Sequence, residues 1–239
     1  MKQSNLYIFV YASVMVVVVA AVLALASTSL RPAQQKNIDT EKRLDILKSV
    51  GAAAEVASAP SKDLYVSEEY GKTIVDQYAV NVKGEKVDGV DVFRLDLKVE
   101  LDKPADQRVL PVYVANLSDG STKYILPIRG RGLWGPIWGY ISLNDDFNTI
   151  YGATFAHKAE TPGLGAEIST PKFQEQFKGK TIFKDGKFVS VTVIKPGSAP
   201  LSDHTVDAIS GGTITSKGLE AMLFDCLSGY QEFFKNQKN

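Results

Sequence analysis

Residues 123–156, KYILPIRGRGLWGPIWGYISLNDDFNTIYGATFA, carry three apolar runs in quick succession, at 123–128, 137–143 and 149–156. Each is short and rich in β-branched and aromatic residues, the composition of a strand. On either side of it, residues 110–115, 181–183 and 187–194 add further strand candidates, and 92–101 (VFRLDLKVEL) alternates apolar and polar positions as a half-buried strand does. Asp185-Gly186 reads as the primed turn of a hairpin. Residues 171–177 suit a short helix. A long helix over about 216–234 closes the chain, with Leu219, Met222, Leu223, Cys226, Leu227, Tyr230 and Phe234 at helical spacing. Sequential strands with few intervening helices predict an α+β fold: an antiparallel sheet with flanking helices.

Upstream of the strands the patterns change. Residues 67–82 read as a charged helix, 51–62 as a linker rich in Ala, Ser and Pro, and 37–50 (NIDTEKRLDILKSV) as a short amphipathic helix that Asp39 or Thr40 caps and Gly51 ends. Residues 6–26 form an uncharged, proline-free run of 21. As a helix such a run spans roughly 31 Å, about the thickness of a bilayer hydrocarbon core. Tyr7 and Tyr11 suit an interfacial belt. Lys2 and Ala24-Leu25-Ala26 leave a cleaved signal peptide open, but the run is longer than a signal core, which favours a retained anchor. Arg31, Lys36, Lys42 and Arg43 follow this segment and only Lys2 precedes it, yet long domains cross membranes largely regardless of charge. The charge count therefore leaves the side open.

Composition excludes several classes. The 239 residues contain 27 Lys+Arg and 27 Asp+Glu, with no basic block to grip nucleic acid, so none is expected as a partner. A single cysteine, Cys226, forms no intrachain disulfide and no iron–sulfur site from this chain alone. His157 and His204 show no zinc-ligand spacing, and no metal site is expected.

Chemistry concentrates in residues 207–216, DAISGGTITS. Gly211 and Gly212 let the backbone turn sharply and approach a ligand, and the helix that follows offers open N–H groups and the positive end of its dipole to a phosphate. Ser210, Thr213, Thr215 and Ser216 crowd hydroxyls around that seat. The plainer alternative is that Thr215 or Ser216 caps the helix and the glycines only turn the chain. Glu160-Thr161-Pro162-Gly163-Leu164-Gly165 reads either as an ordinary Pro-Gly turn or as a loop stiffened on one side and open to close approach on the other. In Gly130-Arg131-Gly132-Leu133-Trp134-Gly135, Arg131 offers a partner for a phosphate or ring carbonyl. Trp134 offers a shield, or a core residue along with Trp138 and Tyr140.

Together these segments resemble a known family. Asp207-x-x-Ser210-Gly211-x-Thr213 resembles the flavinylation motif of FMN-binding-domain proteins, with Gly212 where the family usually has Ala. Residues 160–165 resemble the same family's loop against the flavin ring, and 130–135 resemble a stretch in the C subunit of the Na(+)-translocating NADH:quinone oxidoreductase. The resemblance implies FMN held covalently, by a phosphoester to Thr213, with Asp207, Ser210, Gly211, Gly212, Glu160, Thr161, Gly163, Leu164, Gly165, Arg131 and Trp134 around it. It implies a flavin transferase that uses FAD and a divalent metal for loading. It also implies a redox subunit, not catalytic alone, relaying electrons from NADH toward quinone within a six-subunit membrane complex. The domain would lie on the periplasmic side of the cell inner membrane, held by a single pass. On this reading residues 1–5 are a tail, 6–28 the transmembrane anchor, 29–62 the amphipathic helix and linker, and 63–239 the FMN-binding domain. The alternative is the G subunit of an Rnf-type electron-transport complex, which shares the anchor, the 160–165 loop and the threonine motif.

Overall fold

The computed structural model describes residues 4–238; Lys2 and the start of the 1–5 tail lie outside the described residues. There are two compact units, Met1–Lys42 and Arg43–Asn239. The first consists of most of helix α1 (Asn5–Ser49), whose large apolar side chains from Leu6 to Leu30 are exposed. By length and composition this helix is able to cross a membrane, a candidate anchor. The expected separate helix at 37–50 is instead the continuation of α1, which carries Pro32 in its interior. Helix α1 ends just before Gly51, which adopts φ +73°.

The second unit holds, in order, α2 (Lys62–Thr73), β1 (Ile74–Asn81), β2 (Lys86–Val87), α3 (Leu97–Asp102), β3 (Val109–Asn116), β4 (Thr122–Arg131), β5 (Pro136–Leu143) and β6 (Ile150–His157). There follow α4 (Pro171–Gln174), β7 (Phe183–Lys184), β8 (Lys187–Phe188), β9 (Thr192–Ile194), β10 (Thr205–Asp207), α5 (Thr213–Ser228) and α6 (Gln231–Lys238). Six strands form one antiparallel sheet in the order β2-β1-β3-β4-β5-β6, the α+β architecture expected. The β7–β8 hairpin turns on Asp185 and Gly186, with φ of +49° and +75°, the two left-handed residues of a primed turn.

Three further expectations are corrected. Residues 92–101 are not a strand. Asp96 caps α3, its carboxylate accepting the Lys98 N–H at 2.9 Å, and Leu97 and Leu101 pack on the core one helical turn apart. The helix expected over 67–82 starts earlier, at a Ser61 cap, and yields to β1 where Thr73, Ile74 and Val75 make a β-branched run. The closing helix is two: α5 stops at Ser228, and Gly229 sits so close to Leu110 that a Cβ there would lie 2.7 Å from its Cδ1.

Both faces of the sheet are covered. On one, Leu219, Met222, Leu223, Cys226 and Leu227 of α5 meet Leu110, Val112, Leu126, Ile128, Ile137 and Ile141. Full burial of each such side chain stabilises by about 1.5–3 kcal/mol. On the other, Ile46 and Val50 at the end of α1 join Ala79, Tyr113, Ile125 and Tyr140. There the terminal carbonyls of α1 find partners in the sheet: Ser142 Oγ donates to Ser49 O at 2.5 Å and Thr154 Oγ1 to Asp45 O at 3.2 Å.

Helix α5 lies almost in contact with the β4 backbone. A Cβ at Gly130 would stand 2.6 Å from Met222 Cβ, and one at Gly218 would strike the Arg131 carbonyl. One helical turn beyond Met222 the Cys226 thiol donates to Arg129 O at 3.3 Å and accepts from Arg129 N at 3.4 Å. Burial pushes that thiol up to about 11.

Candidate functional site

Three segments converge at the start of α5. The first is the tip of the β4–β5 hairpin, a tight turn in which Gly132 N donates to Gly135 O at 2.8 Å. Its central residues Leu133 and Trp134 point out, Trp134 being 64% exposed. The second follows β6. Glu160 N donates to His157 Nδ1 at 3.2 Å, Thr161 O accepts from Leu164 N and Ala166 N at 3.1 Å each, and Gly163 turns with φ +73°. The Glu167 carboxylate steadies that turn by accepting Gly163 N at 3.1 Å.

The third segment leaves β10 at Asp207, whose N–H donates to Gln176 Oε1 at 2.9 Å, and turns at Gly211 with φ +72°. Gly212 is the N-cap of α5, and no side chain caps it. Neither Thr215 nor Ser216 takes that place, contrary to the plainer sequence alternative. Ser216 Oγ reaches back to accept Ile209 N at 3.1 Å. Thr213 is therefore the first helical residue, and it is exposed. Among the described residues its hydroxyl makes no hydrogen bond, and the N–H groups of Thr213, Ile214 and Thr215 have no acceptor. Ser216 N, donating to Gly212 O at 2.9 Å, is the first amide the helix satisfies.

Glu160 ties the three segments together. It is 4% exposed; its Oε1 accepts Trp134 N at 2.8 Å and its Oε2 accepts Thr215 Oγ1–H at 2.5 Å. Burial pushes its carboxyl up, but the bonds from Thr215 and from the Trp134 and Leu133 amides, with His157 nearby, outweigh that and hold it below the usual carboxylate range. The glycines around it are spatial necessities. A Cβ at Gly132 would lie 2.6 Å from Glu160 Oε1, and one at Gly165 would lie 2.5 Å from Oε2 and press on the Thr215 hydroxyl.

The sequence candidates thus separate by position. Glu160, Gly165, Gly212 and the Trp134 backbone meet in one cluster, Thr213 follows directly on Gly212, and Leu164 is joined to the cluster because a Cβ at Gly211 would lie 2.7 Å from Leu164 Cδ2. Arg131 is exposed at the end of β4, its carbonyl against Gly218. Ser210 is exposed, Thr161 is exposed, and Asp207 is half-buried at the end of its strand. Trp138 is half-buried and Tyr140 belongs to the core. Sequence reasoning missed Thr215 and Gly132 as parts of the cluster. Their only signal was the hydroxyl run and the glycine pair flanking Arg131.

A phosphorylated aromatic cofactor fits this arrangement. Three open amides and a free hydroxyl stand at the positive end of a 16-residue helix, the chemistry of a phosphate seat. Around it Leu133, Trp134, Leu164 and Ile214 expose apolar side chains of the kind that flank a ring.

Known proteins match the same region. The FMN-binding domain family matches residues 132–228. The C subunit of the Na(+)-translocating NADH-quinone reductase of Vibrio vulnificus is 31% identical over 219 residues, covering 85% of this chain and 83% of the relative. The Pseudomonas aeruginosa C subunit is 28% identical over 256 residues, covering 98% of this chain and 97% of its own. The crystal structure of the C subunit from Parabacteroides distasonis superposes with a TM-score of 0.75 at 48% identity, covering 86% of this chain and 96% of that one. Shewanella oneidensis NqrC gives 0.66 at 27% identity, over 83% of this chain and 98% of its own. These relatives favour the quinone-reductase subunit over the Rnf-type G subunit. The chain belongs to the C-subunit family of the Na(+)-translocating NADH-quinone reductases.

Proposed function

We propose that this flavoprotein subunit carries its FMN as a phosphoester on Thr213 and serves as an electron relay within the multi-subunit reductase. The observation that carries the reading is the Thr213 hydroxyl: exposed, unbonded among the described residues, and first in a helix whose leading amides are open. In loading, the Thr213 hydroxyl would accept the FMN-side phosphoryl group of FAD, with AMP as the leaving group taking up the hydroxyl proton. A flavin transferase with a divalent cation would catalyse this exchange, in which nothing is oxidised or reduced.

The amides of Thr213, Ile214 and Thr215 would hold the phosphate, and Gly211 and Gly212 would admit it close to the backbone. Leu133, Trp134, Leu164 and Ile214 would exclude water from the ring, with Thr161 and Gly163 shaping the adjoining loop. Arg131 is placed for a phosphate or ring carbonyl, and Asp207 and Ser210 complete the motif. When bound, FMN supplies reversible electron transfer, and the protein's part is placement and tuning. In this reading residues 63–239 are the FMN-binding domain and 6–28 the anchor. The domain faces the periplasm from the inner membrane, and five further subunits complete the complex.

Denaturing electrophoresis under ultraviolet light tests the site after co-expression with a flavin transferase. The full-length band is expected to fluoresce and the Thr213→Ala band to be dark. A dark wild-type band, or a fluorescent Thr213→Ala band, overturns the assignment.

A further inference from the structure

Resting on Thr213 as the acceptor, we propose that Glu160 is a positioning residue for flavin loading. It withdraws Thr215 from competition and holds the hairpin tip and the first turn of α5 in the arrangement that presents Thr213. Four hydroxyls lie within residues 210–216, and chemistry alone does not choose among them. The structure does. Thr215 is 1% exposed and its proton is given to Glu160 Oε2; Ser216 is 1% exposed and its oxygen is engaged by Ile209 N–H. Ser210 precedes the Gly211 turn, outside the helix. Only Thr213 combines exposure with a place among the open amides.

The carboxylate does this through its shape. Its two oxygens take donors from elements 26 and 55 positions away in the chain, so one rigid fork fixes both distances at once. Charge-assisted bonds of this kind are shorter and stronger than neutral ones. Gly132 and Gly165 each lack the one carbon that would collide with the fork, so the pocket is shaped to the carboxylate from two sides. Group transfer depends steeply on such placement, because about 1 Å of displacement costs up to ~100-fold.

Three variants of the full chain separate geometry from charge. Glu160→Gln keeps the reach: its oxygen can accept Trp134 N–H while its amide donates to the Thr215 oxygen. Glu160→Asp keeps the charge but is one methylene short of spanning both partners. Glu160→Ala removes both. Each is co-expressed with a flavin transferase and read by in-gel fluorescence per folded protein, with circular dichroism checking the fold and peptide mass spectrometry locating the adduct. Glu160→Gln is expected within about threefold of wild type, and Glu160→Asp and Glu160→Ala about tenfold or more below it. Any misdirected adduct is expected on Thr215. Equal loading of Asp and wild type, or a Gln variant as poor as Ala, overturns the inference. If Glu160→Ala does not fold, the Gln and Asp pair decides alone. A wild-type chain without an adduct on Thr213 sinks the acceptor assignment itself. Wild-type labelling on Thr213 with all three variants labelled equally sinks only the role of Glu160.

Discussion

Adding one methyl group at Gly165 tests how tightly the candidate site is built. Gly165 lacks the left-handed backbone that disfavours alanine, so the penalty is steric. The new carbon would stand 2.5 Å from Glu160 Oε2, where ordinary contact begins at 3.4 Å, and closer still to Thr215 Oγ1. Neither neighbour is a loose end: Trp134 N holds the carboxylate and helix α5 holds the threonine. Overpacking of this kind costs about 1–3 kcal/mol. Parting Glu160 from Thr215 leaves a buried group unpaired for a further ~1–3 kcal/mol. The stiffer unfolded chain returns about 0.4–1 kcal/mol. The net expectation is a loss of about 3 kcal/mol. For a domain of this size that lowers Tm by roughly 6–12 °C. Thermal unfolding of the full chain in detergent, followed by circular dichroism, measures it. Gly135→Ala is the control, since its Cβ would meet only Lys158 Cβ, at an ordinary 3.6 Å. A Gly165→Ala loss no larger than the control's would refute the close packing of site and loop.

Elsewhere in the same unit, Ser190 sits at φ +59° with its hydroxyl buried and, among the described residues, without a partner. Ser190→Gly relieves both, and after the entropy glycine adds to the unfolded chain it should stabilise by about 1 kcal/mol, read as a raised urea midpoint. Glu160 predicts an acid dependence. Its folded pKa lies below the usual 4.5, so its stabilisation is complete above that value and drains away as pH falls through the folded one. The wild-type advantage over Glu160→Gln in urea midpoint should therefore hold at neutral pH and shrink as the pH falls below the usual 4.5. An advantage that persists or grows in acid contradicts the depressed carboxyl.

Local patterns are legible in the sequence where local physics decides. Residues 137–143 alternate among β-branched and aromatic residues and are β5; Asp185-Gly186 is a turn because both residues adopt positive φ. The pattern misleads where two local rules compete. Residues 92–101 alternate like a strand, but Asp96 caps a helix, and the cap together with the Leu97–Leu101 pair prevails. The β9–β10 pairing is parallel and three residues long on each side, too short to leave a pattern. The site divides in the same way. The threonine motif and its glycines are contiguous and visible as a candidate phosphate seat. The partnership of Glu160 with Thr215 spans 55 positions, and only the folded chain brings them together.

The near-contact of α5 with β4 bears on electron transfer. With no side chain at Gly130 or Gly218 to act as a cushion, α5 is braced against a central strand of the sheet immediately behind its first turn. A redox group mounted on that turn would have its slack in the ester linkage rather than in the backbone. Its distance to the next centre would then vary little, and the surrounding protein would rearrange little when charge arrives or departs. Packing of this kind keeps the reorganisation energy low.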